Sequence, residues 1–112
     1  MTNALALIGA RIRQAREKIG LSQEAFAEAV GKDQTAISQY ENGLRKLPAV
    51  ELIRFAEVLI VPVSYFFGED MTLDSLDQLM LTEFRKLPTI EAKQAAVQIV
   101  RLLRESTDTD TR

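Results

Sequence analysis

Gln34, Thr35, Ser38 and Gln39 fall within six consecutive residues, and in a helical register all four share one face, opposite Ile37 and Tyr40. Each is an uncharged hydrogen-bonding residue. Such a strip suits the base edges exposed in the major groove of a DNA duplex, where glutamine can engage adenine through two bonds and threonine offers a hydroxyl and a methyl. A good pair of this kind discriminates between bases by roughly 1–3 kcal/mol. Covalent chemistry has far less to work with. The chain contains no Cys and no His, which removes thiol catalysis, imidazole acid–base chemistry, disulfides and the usual zinc ligand sets. Ser22 and Ser38 have no suitable base to activate them, and Asp74 and Asp77 read as charges in the first turn of a helix. No enzymatic activity, metal or cofactor is expected.

The strip needs a short helix set against another at a steep angle, and the residues from Gln23 to Tyr40 supply that arrangement. Ser22 offers an N-cap oxygen, Glu24 sits in the first turn, and Phe26, Ala27 and Val30 form an inward face that ends before Gly31. The hinge at Gly31 requires positive φ, and Ala27 is small where the two helices approach most closely. Asp33 caps the next helix, whose inward face is Ile37, Tyr40 and Leu44 and which Gly43 stops. Before this pair, Ile8, Ile12, Ala15 and Ile19 mark a first helix from about Ala4 to Lys18, closed by Gly20. After it, a fourth helix follows Pro48 with the stripe Leu52, Ile53, Ala56 and Leu59, and a short fifth runs from about Val63 to Phe67. Tyr40, Phe66 and Phe67 are expected in the core rather than around a ligand.

A boundary is expected at Gly68, Glu69 and Asp70, beyond which the helical pattern resumes. Leu73, Leu76, Met80, Phe84 and Leu87 line a sixth helix; after the break at Leu87, Pro88 and Thr89, the residues Ala92, Ala96, Ile99, Val100 and Leu103 line a seventh. Residues 106–112 alternate Thr and Asp with no apolar side chain and read as a disordered tail. No strand pattern competes, so the fold class is all-α. Leu79 and Leu81 lie off the main stripe of the sixth helix, as do Val97 and Leu102 on the seventh, leaving apolar surface that something must cover. An antiparallel helical pair with two apolar flanks most naturally meets a second copy of itself, with Leu76, Leu79, Met80, Phe84, Ile99, Val100 and Leu103 as the seam of a homodimer.

The formal charge of −2 argues at first against a polyanionic partner, but it is unevenly spread. Residues 1–50 hold seven Lys or Arg against five Asp or Glu, whereas residues 51–112 hold seven against eleven. The local field near the strip is what a duplex would meet. The first twenty residues interleave Arg11, Arg13, Arg16 and Lys18 with apolar positions, which fits neither a signal peptide nor a membrane span, so a cytoplasmic location is expected.

Three linked segments, IGARIRQAREKIGLSQEAFAEAVG, QTAISQYENGLRKLP and VPVSYFFGE, give the region from about Ile8 to Gly68 a pattern that resembles the Cro and phage-repressor (Xre-like) family. Lys32, in the turn, stands where that family often has a small or apolar residue, and Pro62 occupies the entrance to the fifth helix, where proline is tolerated. The resemblance implies a five-helix repressor-like DNA-binding domain over residues 1–69, followed by the helical hairpin over residues 70–105. It further implies that Gln23 contacts a phosphate, that Gln34, Thr35, Ser38 and Gln39 face bases, and that Asn42, Arg45 and Lys46 meet phosphates beyond the recognition helix. Glu41 shares the inward stripe of that helix, where a lone carboxylate is costly, and the resemblance names Arg16 as its partner. A catalytic acid or a simply exposed side chain are the other readings of Glu41. The function implied is a bacterial repressor that binds a palindromic operator on double-stranded DNA as a homodimer. The competing readings are an antitoxin whose hairpin captures a toxin, and a protein-interaction module of the same fold without DNA.

Overall fold

Helix starts fall where a side-chain oxygen can take up free backbone N–H groups. In the computed structural model, which describes residues 3–110, Asn3 caps α1 (Ala4–Lys18), Ser22 caps α2 (Gln23–Val30) and Asp33 caps α3 (Gln34–Glu41). Ser22 Oγ accepts from the Ala25 N–H at 3.0 Å, and an Asp33 carboxylate oxygen accepts from Ala36 at 2.8 Å. At the end of α2, Gly31 adopts φ 72°, and the Lys32 and Gly31 N–H groups return to Ala27 and Glu28. That paired closure leads the chain into α3 within three residues, and α2 and α3 pack against each other.

α4 (Ala49–Leu59) begins after Pro48, and the expected fifth helix is a 3-10 turn, η1 (Val63–Phe67), too short for an α-helical ladder to be stable. The core joins these five elements through Ile12, Phe26, Ile37, Phe55, Leu59 and Phe66, all fully buried. Phe55 is its centre, meeting Phe26 edge-on at 4.8 Å between ring centroids and Tyr40 at 5.8 Å. α1 packs on α3 at Gly9, where any Cβ would collide with the backbone carbonyls of Tyr40 and Glu41.

Several expected core positions lie elsewhere. Leu44 is 77% exposed, because Gly43 turns the chain with φ 71° before the helical stripe can continue. Ile53 is 51% exposed and Phe55 takes the central place; both are apolar and near the stripe, and the packing of α4 against α2 selects the latter. Phe67, expected inside, is exposed on the last residue of η1, whereas Tyr65 is buried.

The chain divides into two compact units, the second beginning at Asp77. The division falls inside α5 (Leu73–Arg85), a few residues beyond the boundary expected at Gly68 to Asp70, and Met71 packs on the first unit's core. Reciprocal bonds between Thr72 and Ser75 start α5. In the second unit, Thr89 Oγ1 accepts from Ala92 at 3.0 Å to start α6 (Ile90–Asp110). Lys93 Nζ donates to the Phe84 carbonyl at 2.8 Å and lies over the Phe84 ring, tying the two helices of the hairpin together. α6 continues through Asp110, so residues 106–110 are helical rather than a loose tail; Thr111 and Arg112 lie outside the described residues. No α5 residue is buried. Leu79, expected off the stripe, is half-buried like Phe84, while Leu76, Met80, Ile99, Val100 and Leu103 are exposed. Among the described residues no helix is long and apolar enough to cross a membrane.

Candidate nucleic-acid interface

The site is built on a buried charge. Glu41, at the end of α3, receives two bonds from Arg16 of α1, Nε to Oε2 at 2.6 Å and Nη2 to Oε1 at 3.0 Å. The third Arg16 nitrogen donates to the Leu21 carbonyl at 2.7 Å, so the guanidinium also holds the turn between α1 and α2. The side-chain bonds to Glu41 hold the Arg16 pKa above its ordinary value, against the opposing effect of burial. Glu41 is thus the buried half of an ion pair rather than an exposed carboxylate.

One further donor reaches this carboxylate. Gln23, the first residue of α2, donates from Nε2 to Glu41 Oε1 at 3.1 Å, and its own Oε1 accepts from Gln34 Nε2 at 3.4 Å. An ionised carboxylate only accepts, so Gln23 has to present its nitrogen inward and its oxygen toward Gln34. A relay therefore runs from the buried Arg16–Glu41 pair through α2 to the first residue of α3. The family resemblance implied Arg16 as the partner of Glu41 but did not connect Gln23 to either; the signal was the unused acceptor capacity of a buried carboxylate with one cationic partner.

Gln34 and Thr35 stand exposed at the start of α3, while Ser38 and Gln39, one turn further on, are half-buried on the same outer face. Asn42 Nδ2 donates to the Ser38 carbonyl at 2.8 Å and approaches its hydroxyl at 3.4 Å, which finishes the helix. Arg45 and Lys46 are exposed in the segment that follows, and Arg45 turns back over the helix: Nη1 lies 3.3 Å from Gln39 Oε1 and the guanidinium stacks 5.6 Å from the Tyr40 ring centroid. The structure therefore brings Gln23, Gln34, Thr35, Ser38, Gln39, Asn42 and Arg45 to one side of the first unit. Lys32, the unexpected cation of the turn, does not join them as a free charge. It pairs with Glu51 of α4 at 2.6 Å, and that bond raises its pKa against a smaller effect of burial.

Comparison with known proteins places the same region in context. Residues 12–66 match the helix-turn-helix family HTH_3. An uncharacterized HTH-type transcriptional regulator of Sinorhizobium medicae is 40% identical over 62 residues, covering 55% of this chain and 45% of the relative. The chain thus spans about half the length of that relative. Among solved structures, the restriction-modification controller protein C.AhdI from Aeromonas hydrophila is 32% identical with a TM-score of 0.54, over 56% of this chain and 91% of its own. The clp gene regulator ClgR from Corynebacterium glutamicum superposes over 92% of this chain and 93% of its own with a TM-score of 0.56; at 18% identity it supports the fold alone.

Proposed function

Because this chain belongs to the helix-turn-helix (HTH_3) family of DNA-binding transcriptional regulators, which are not enzymes, we propose that it is a repressor that binds a palindromic operator as a homodimer. The observation that carries this reading is the relay from Arg16 and Glu41 through Gln23 to Gln34, which ends in an oriented amide on the outer face of α3. With one N–H engaged by Gln23, Gln34 keeps its oxygen and a second N–H free, the acceptor and donor pair that adenine requires in the major groove. Thr35, Ser38 and Gln39 read the neighbouring bases. Gln23 at the start of α2, and Asn42, Arg45 and Lys46 after α3, meet the phosphates that fix the register of the helix in the groove.

The homodimer is supported by the exposed apolar side chains of α5 and α6, among them Leu76, Met80, Ile99, Val100 and Leu103. A two-fold dimer presents two copies of α3 about 34 Å apart, one turn of the duplex, which is the spacing of a palindromic half-site pair.

Selection of bound duplexes from a random pool tests the reading. One palindromic sequence should emerge; Gln34→Ala should relax preference at one position of each half-site without loss of fold. Lys46→Ala should weaken every duplex alike and reduce the salt slope by about 1 per binding site contacted. Failure to enrich any sequence at low ionic strength removes the assignment.

A further inference from the structure

We propose that Arg45 is a positioning residue for base reading: it turns the amide of Gln39 so that its two Nε2 donors face outward, which makes that position a reader of guanine. The inference rests on the DNA-reading assignment above and concerns which base one position of the operator prefers.

Two contacts define the arrangement. Arg45 Nη1 lies 3.3 Å from Gln39 Oε1, and its guanidinium carbon lies 5.6 Å from the centroid of the Tyr40 ring. The ring is itself a fixed platform, buried and edge-on to Phe55. Arginine has five N–H donors and no acceptor, so an amide can meet it only through its oxygen. The choice of amide orientation is therefore forced by chemistry. Among the described residues Gln39 Nε2 has no acceptor of its own, leaving both of its hydrogens for a ligand.

In the major groove guanine offers two adjacent acceptors, N7 and O6. Thymine offers one, adenine sets an acceptor beside a donor, and cytosine presents a donor only. An outward-facing amide NH2 accordingly ranks guanine first and cytosine last. Gln34 carries the same side chain with a different free edge, because Gln23 takes one of its hydrogens and leaves its oxygen open. Two glutamines on one helix thus read different bases, and the neighbour of each amide decides which. The remaining donors of Arg45 stay available to a phosphate.

The test is selection from a pool of duplexes with a randomised centre, using the full chain as wild type, Gln39→Ala, Arg45→Ala, Arg45→Met and Lys46→Ala. Gln39→Ala identifies the operator position that this side chain reads. There the wild type should prefer guanine by at least about fivefold, the lower end of what a good base contact achieves. Arg45→Ala should reduce that preference to below about twofold and admit adenine, while preferences at other positions persist. Arg45→Met, which keeps a stem over Tyr40 but has no donor, should give the same loss. Lys46→Ala should lower affinity with every preference intact. Retention of the guanine preference in both Arg45 variants overturns the proposal, as does a wild-type preference for adenine or cytosine at that position. A wild type that enriches no sequence at all instead removes the DNA-reading assignment on which the proposal stands.

Discussion

The Arg16–Glu41 pair concentrates the largest single-residue effects in the first unit. Both side chains are almost fully enclosed, and each satisfies the other through two bonds while Arg16 also supports the Leu21 carbonyl. Removing one partner strands a desolvated charge, so Arg16→Met or Glu41→Leu alone should lower unfolding stability by about 3–5 kcal/mol in urea titrations. The double variant should recover much of the loss, since two apolar side chains need no partner. Glu41→Leu should also blur base preference at the Gln34 position, because Gln23 loses the acceptor that orients it. A different kind of cost sits at Ile60, which closes α4 with φ 59°, a left-handed conformation that β-branched residues avoid. Its side chain is 59% exposed, so packing returns little. Ile60→Asn should therefore raise stability by about 0.5–1 kcal/mol, read as a higher thermal midpoint with unchanged DNA affinity. At this scale the sequence marked the polar strip and the buried carboxylate by residue type and helical spacing. It could not pair Arg45 with Gln39, because that contact depends on how the chain reverses after Gly43.

Among the elements, the placement of α3 is set by two glycines with different jobs. Gly9 lets α1 lie directly against the α3 backbone, and a Cβ there would strike the carbonyls of Tyr40 and Glu41, which have no freedom to retreat. Gly31 meets no neighbour but holds φ 72° at the hinge. Gly31→Ala should cost about 1–2 kcal/mol through strain alone and keep the binding geometry. Gly9→Ala should cost about 3 kcal/mol by forcing α1 away from α3, and DNA affinity should fall even at temperatures where the variant is folded. Chemical denaturation and duplex titration of the two variants distinguish strain at a hinge from displacement of a helix. Helix starts were more legible than helix ends because caps are local: Ser22, Asp33 and Thr89, the expected caps, each accept a backbone N–H from the first turn that follows. The core stripe of α4 was less legible. Leu52, Ile53, Phe55, Ala56 and Leu59 satisfy more than one inward face, and the edge-on meeting of Phe55 with Phe26 and Tyr40 decides between them.

For the whole molecule, the helices α5 and α6 expose a run of apolar side chains that includes Leu76, Met80, Ile99, Val100 and Leu103. In the proposed homodimer, Leu103→Lys with Val100→Glu should convert the dimer into a monomer in sedimentation equilibrium and weaken operator binding, because two half-site contacts then no longer act together. The first unit should keep its thermal transition in that variant. A wild-type chain that is monomeric at micromolar concentration would transfer the exposed face to a different protein, as in the toxin-capture reading of the hairpin. Sequence by itself determined the all-α class, the glycine hinge between α2 and α3, the caps and the chemistry of the outward strip, since each follows from residue type and spacing over a few turns. Tertiary structure alone decided that Leu44, Ile53 and Phe67 stay outside, that the unit division falls within α5, and that Gln23 links a buried ion pair to Gln34. The physical reason is range. Backbone propensity and capping act between neighbours in sequence, whereas burial and the orientation of an amide are settled by side chains that arrive from distant segments of the chain.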